Sequence, residues 1–422
     1  MAITNELKAA GEVDIQRVEI VASSRRSLDI RNQVIAINIF EDIFSPFITG
    51  NLVIKDAMDL VNYLPLIGDE TLHLRLATPG FKDKNTFIDI TCKIFKLSDR
   101  EMMANRAVGY ILHFISNEAM MDLNLKLSKA FNDNIATVAE KILTDCSIKN
   151  TDRFHVEPTS NNISYVSNYW SPVKNLNYLA DHAISMTGSP TFLFFENRNG
   201  LNFASLDYLY TLPKVRDFIV NDYSRDFNQG DSGNIRNIEK DFSQVIDITV
   251  PVAYDYVDRM RQGTFASTLI THDITTKTYS YAGFDFLTDY DKDKRLNKYP
   301  LLNQNIVHSP AAAIATIHKA NGVLAGNNDV TNSKIFQKRR SLLSLADSCR
   351  IQITVLGRTD YTIGQKVSVT TNRNMPIDKE DGDVTDYTFS GDYIIASIRH
   401  VIDRESHQCV MELIKDSTNL KM

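Results

Sequence analysis

A few stretches of this sequence carry residue types able to do chemistry. Asp289, Asp291 and Asp293 alternate as the first three ligands of a calcium loop do, because oxygen ligands at alternate positions converge on one hard cation. The sixth position of such a loop needs glycine for its sharp turn and is Lys294; the twelfth needs a bidentate glutamate and is Pro300. A solvated charge run is the better reading. Gly230-Asp231-Ser232-Gly233 sets a serine in a glycine-flanked turn, the setting of a serine nucleophile. That chemistry also needs an upstream histidine and a second aspartate. The nearest upstream histidine, His182, falls on a helical stripe with Ala183 and Ile184, so a polar turn is expected instead.

The remaining candidates are weaker. No GxGxxG, GxxxxGK[ST] or HExxH pattern occurs. Carboxylates are abundant, but a glycosidase needs an acid and a base at a set separation, which abundance does not supply. The single tryptophan, Trp170, suggests sugar stacking or, more simply, an aromatic strand packed on the helix that follows. Lys338-Arg339-Arg340 is the basic cluster of note and reads as an exposed helix face. Cys92, Cys146, Cys349 and Cys409 have no CxxC spacing and read as buried reduced thiols. The sequence thus assigns no catalytic, cofactor-binding or metal-ligating residue.

The elements that would position any site are mostly strands. Leu72, Leu74 and Leu76 alternate with His73 and Arg75; Ile88, Ile90, Cys92 and Ile94 alternate with Asp89, Thr91 and Lys93. Val108, Tyr110, Leu112 and Phe114 continue the period-two pattern, which predicts a small barrel or sandwich over residues 1–118. His73 and His113 fall on opposite faces in this pattern and read as ordinary strand residues. Pro46 with Gly50 and Pro65 with Gly68 punctuate short strands, leaving room for a helix of only about five residues between Ala57 and Tyr63. Residues 119–238 read as an α+β unit. Ile135, Val138, Ala139, Ile142 and Leu143 form one helical stripe, with caps offered by Asn132 and Asp133. A second helix starts at Ser171-Pro172 and stops at Gly188, and a hairpin turns at Asn197-Arg198-Asn199-Gly200. Strands return over 239–284, residues 285–345 are irregular with short helical candidates at Pro310–Lys319 and Lys334–Asp347, and 346–422 are strand-rich again. Asn321 to Asn332 and Met375 to Asp386 read as loops.

Composition sets outer limits. The 422 residues are 43% hydrophobic and 23% charged, the balance of a multidomain globular protein. No apolar run approaches the roughly 20 residues of a membrane helix. The N-terminus has no basic start or apolar core of a secretory signal, which points to synthesis and assembly in a cytoplasm. A net charge of −6 without a dense basic stripe argues against gripping a phosphate backbone, and no sequence-specific nucleic-acid partner is expected.

One resemblance covers most of residues 13 to 417. Asp42, Phe44, Gly50, Asp56, Leu64-Pro65 and Gly68-Asp69-Glu70 resemble the first barrel of the central baseplate hub protein of contractile-tailed, T-even-like bacteriophages. The succession of Ile135 to Cys146, Tyr169-Trp170, Val173 to Gly188 and Phe192 to Phe203 is similar to the wider hub family, which includes type VI secretion spike proteins. Val355-Leu356-Gly357-Arg358, Ile363-Gly364-Gln365-Lys366-Val367, Ser390 to Ile395, Ile398-Arg399-His400 and Met411-Glu412-Leu413 resemble its second, tube-like barrel. Residues 285 to 335 match nothing in that pattern.

The resemblance implies a β-rich α+β chain with two similar tube-type barrels, no enzymatic activity and no cofactor. It implies a homotrimer whose barrels make a pseudo-sixfold ring, adapting a hexameric tail tube to a trimeric spike in the virion's tail baseplate during genome ejection. Partners would be the spike protein, the tube or tube-initiator protein and baseplate wedge proteins, with no stable membrane insertion. The chain would be the hub alone, without a puncturing extension, and a wall facing DNA should be neutral or acidic. The alternatives are a β-rich cell-wall hydrolase and the hub of a type VI secretion spike.

Overall fold

The computed structural model describes residues 7, 9–23, 25–81, 83, 86–103, 107–146, 153–220, 238–273, 277–301, 313–318, 329–373 and 385–420. Its frame is one 13-stranded sheet that runs through both ends of the chain. In the N-terminal part the neighbours are Val34–Asp42, Thr49–Asp56, Val108–Ser116, Ile88–Met102, Thr71–Ala77, Asp14–Val21 and the short Ser27–Asp29, all antiparallel. The alternation read from the sequence decides what they bury: Leu72, Leu74, Leu76, Leu112 and Phe114 are fully enclosed in one core with Val18, Ile20, Ile37 and Ile39. Because Leu72 and Leu112 enter the same core, His73 and His113 both point away from it. They share the outer face rather than lying on opposite ones, and bond to Thr91 and Ser98 there.

The C-terminal part orders Val245–Ala253, Cys349–Leu356, His407–Lys415 and Gly391–Asp403, with Lys366–Thr370 and then Lys214–Ile219 branching from the last. Ile351, Ile353, Val355, Val367, Val369, Met411 and Leu413 fill a second core. The parts join where Gly391–Asp403 pairs with Val34–Asp42, in the register Ser397↔Asp42 to Asp403↔Ala36. Ile398 belongs to one core and Ile402, a turn of the pleat further on, to the other.

The middle unit has a core of its own. Helix Ile135–Asp145 buries the predicted stripe, although its cap is Asn134, whose side chain accepts from the amide of Ala136 at 3.0 Å, rather than Asn132 or Asp133. Helix Pro172–His182 begins at Ser171 as expected but ends before Gly188, which serves the following turn at φ +88°. The Phe192–Asn197 and Gly200–Ser205 hairpin closes on Arg198-Asn199.

Three expectations are corrected in the next segment. Of the strands placed over 239–284, only Val245–Ala253 joins the large sheet; Ala266–Asp273 and Thr278–Asp285 form a separate sheet with Ala313–His318. That third strand lies where a short helix was expected at Pro310–Lys319. The six residues Ala-Ile-Ala-Thr-Ile-His are too short a run for local preference to fix helix or strand, and pairing with Ala266–Asp273 decides their state. Helix Asp329–Ala346 starts earlier than Lys334 and packs on this sheet, Gln337 donating to the carbonyl of Ser267 at 3.0 Å. No helix among the described residues is long and apolar enough to cross a membrane.

Candidate functional site

The sequence-flagged chemical residues do not converge. Gly230 to Gly233 lie outside the described residues, as do the side chains of Asp289 and Asp291 and most of the two predicted loops. His182 Nδ1 donates to the carbonyl of Tyr178, within its own helix. Asp293 is buried between Lys338 at 2.7 Å and Arg295 at 3.6 Å, as an ion-pair partner. Trp170 packs edge-on against Tyr178 at 5.4 Å, with the Lys174 ammonium 4.8 Å above its ring. The basic cluster is not the free face expected of it. Arg339 reaches Asp181 at 3.0 Å and the carbonyls of Pro190 and Phe192, and Lys338 reaches Asp293, so both tie the last long helix to its neighbours. All four cysteines are buried and unbridged.

What the fold does present is a pinned loop with apolar side chains turned outward. Between Thr49–Asp56 and Thr71–Ala77 the chain makes one short helix, Leu60–Tyr63. Two buried carboxylates hold this excursion. Asp56 accepts from the amides of Met58 (2.8 Å) and Leu60 (2.7 Å) and from the hydroxyl of Tyr110 (3.2 Å). Glu70 accepts from the amides of Ile67 (2.6 Å) and Gly68 (3.1 Å). Leu60 and Leu64 anchor it in the core, which leaves Met58, Tyr63 and Ile67 outward at 63%, 60% and 76% exposure. Gly68, at φ +97°, lies against the backbone of Phe95, itself half exposed. The outward apolar side chains therefore stand on a loop held in one shape by buried hydrogen bonds.

The two ends of the large sheet differ in the same sense. Ser27–Asp29 is three residues long, preceded by Arg25 and Arg26 and closed by an Asp29–Arg31 ion pair at 2.7 Å, a blunted edge. Val245–Ala253 is nine residues long and pairs, among the described residues, only with Cys349–Leu356. Ile246, Val250 and Val252 on it are exposed. Pro251 sits where the register slips between Thr249 and Val252, so the edge able to pair is the stretch before it.

Polar groups are concentrated at the buried seam between the parts. Glu41 accepts from the hydroxyl of Thr362 and the amide of Ile363, and burial pushes its pKa up to about 7. Glu196 accepts from the amide of Ile48 (3.1 Å) and the hydroxyl of Ser116 (3.0 Å); burial, with the charge of Glu118 nearby, pushes it up to about 8. Displaced carboxylates often mark catalysis. These two are enclosed and bonded to backbone amides of other units, which is what a joint requires.

A last cluster was not anticipated. His400 lies directly across from Cys409 in the sheet, and His407 precedes Cys409 by two, so all three share a face. His400 Nδ1 and His407 Nε2 are 3.0 Å apart, and Cys409 Sγ lies 3.3 and 3.4 Å from them. The H-x-C spacing on an alternating strand was the available signal; the third member needed the hairpin register.

No protein-family model matches the sequence, and no curated protein matches it. In three dimensions the chain is similar to the tail protein from Neisseria meningitidis MC58, at 13% identity and a TM-score of 0.53 over 95% of this chain and 96% of that one. It is similar also to the 43 kDa tail protein of prophage MuSo2 from Shewanella oneidensis, at 12% identity and a TM-score of 0.54 over 95% and 99%. The c3393 protein of E. coli, a type VI secretion system component, aligns at 8% identity and a TM-score of 0.46 over 97% and 78%. Along nearly its whole length, this chain has the β-rich fold of phage tail proteins.

Proposed function

We propose that this protein is the structural hub of a phage tail baseplate, a homotrimer whose ring joins a hexameric tube to a trimeric spike. One observation carries the reading: a single chain holds two β parts, of seven and six strands and antiparallel except where Lys214–Ile219 runs parallel to Lys366–Thr370, each with its own core, coupled edge to edge. Three chains with two such parts each present six β units on one face and three chains on the other, which is what a sixfold-to-threefold adapter needs. The long open edge at Val245–Ala253 and the pinned apolar loop at 56–70 supply contact surface for neighbouring copies, spike or tube. The likeness to tail proteins supports the same class of role, in the virion.

The hydrolase alternative gains nothing from the displaced carboxylates, since Glu41 and Glu196 are closed off from substrate. Native mass spectrometry of the purified chain tests the proposal. A trimer is expected; a clean monomer at high concentration that binds neither spike nor tube protein would overturn it.

A further inference from the structure

The buried trio on the C-terminal hairpin has a geometry that its own hydrogen bonding does not account for. His400, His407 and Cys409 are all fully buried, and their inward atoms sit 3.0, 3.3 and 3.4 Å from one another. A neutral imidazole carries one N–H. If that proton points inward on one ring, it serves the other ring and leaves the outward nitrogens without a partner; if neither points inward, two lone pairs face each other at 3.0 Å. His400 Nε2 and His407 Nδ1 are in fact buried without a hydrogen bond. Three soft or borderline donors with converging lone pairs satisfy each other poorly and a cation well.

We propose that His400 Nδ1, His407 Nε2 and Cys409 Sγ form a binding site for a zinc-type divalent cation that clamps the Gly391–Asp403 and His407–Lys415 strands. Tetrahedral zinc with Zn–N of about 2.0–2.1 Å and Zn–S of about 2.3 Å separates two nitrogens by about 3.3 Å and nitrogen from sulfur by about 3.5 Å. The observed separations are within a few tenths of an ångström of these, so the side chains need only a small outward relaxation. Three protein ligands leave a fourth coordination position. Cys409 loses its thiol proton to solvent as the metal–sulfur bond forms.

The surroundings hold the trio in place. The amide of His407 donates to the carbonyl of Gly11 (2.7 Å), and its carbonyl accepts from the amide of Gly357 (2.8 Å). A Cβ at Gly357 would come within 2.3 Å of the His407 ring, so only glycine leaves the imidazole its position.

The test uses the full chain, stripped with chelator and titrated anaerobically with Co²⁺ and then Zn²⁺. One equivalent of Co²⁺ should bind with a thiolate-to-cobalt charge-transfer absorption, which Zn²⁺ abolishes and Cys409→Ser never shows. Because a core variant can fail to fold, a second reading uses the wild-type chain. Under mild denaturant, Zn²⁺ should slow alkylation of Cys409 at least tenfold and leave Cys92, Cys146 and Cys349 unchanged, read peptide by peptide. Absence of stoichiometric uptake, a charge-transfer band that survives in folded Cys409→Ser, or equal alkylation of all four cysteines would each overturn the site.

Discussion

The guanidinium of Arg399 donates to the side-chain oxygen of Asn38 at 2.9 Å, across the line where the C-terminal β part meets the N-terminal one. Asn38 in turn donates to Asn51 at 2.9 Å, so a polar ladder crosses three neighbouring strands, two consecutive in sequence and the third more than 300 residues away. Arg399→Ala removes both guanidinium bonds to Asn38 and the packing over Phe40, at an exposed position, and is expected to cost about 1 kcal/mol. Asn38→Ala leaves partners on both sides and is expected to cost more. Urea midpoints of the two variants check the order.

The seam carboxylates predict a pH dependence with a definite sign. Glu41 and Glu196 have folded pKa values of about 7 and about 8, above the ordinary value of 4.5. The folded chain therefore binds protons more tightly than the unfolded one, and stability falls as pH rises from about 4.5 through 8. Glu41→Gln keeps an oxygen for Thr362 and Ile363 and removes the charge. Thermal midpoints should show it matching the wild type near pH 5 and exceeding it at pH 8, by a free energy on the order of 2 kcal/mol. A variant that loses stability at both pH values would contradict this.

The open edge is expected to matter for assembly and not for folding. Ile246→Lys and Val250→Lys place charge on exposed positions of a strand that already faces solvent, so the unfolding midpoint should move by no more than about 0.5 kcal/mol. Sedimentation should show the oligomer shifted toward monomer. Unchanged association would remove this strand from the interface.

The loop at 56–70 separates its anchors from its outward face. Asp56→Ala strands the amides of Met58 and Leu60 and is expected to cost about 1–3 kcal/mol. Ile67→Asp should leave stability nearly untouched and weaken binding to a baseplate partner at least tenfold in a pull-down or calorimetric titration. The reverse pattern would make the loop merely structural.

Much of this was legible in the residues. Period-two alternation in Leu72–Leu76 and Tyr110–Phe114 named the core side chains, and Ser171-Pro172 named a helix start, because each signal is local. Face assignment failed for His73 and His113, since which side of a strand is inward depends on a partner far along the chain. The strand at Ala313–His318 was hidden for the same reason. Lys338 and Arg339 looked free because their partners, Asp293, Asp181 and the carbonyls of Pro190 and Phe192, lie 45 or more positions upstream. Gly357, quoted from the sequence within Val355-Leu356-Gly357-Arg358, has a physical reason in the His407 ring pressed against it.

Pairing Val34–Asp42 with Gly391–Asp403 also sets a timetable. A ribosome makes the first strand long before the second, so the early part waits with a bare ladder until Gly391–Asp403 has been made. Truncated products would keep that ladder uncovered and be prone to aggregate or be degraded. The topology thus ties completion of the large sheet to synthesis past residue 403.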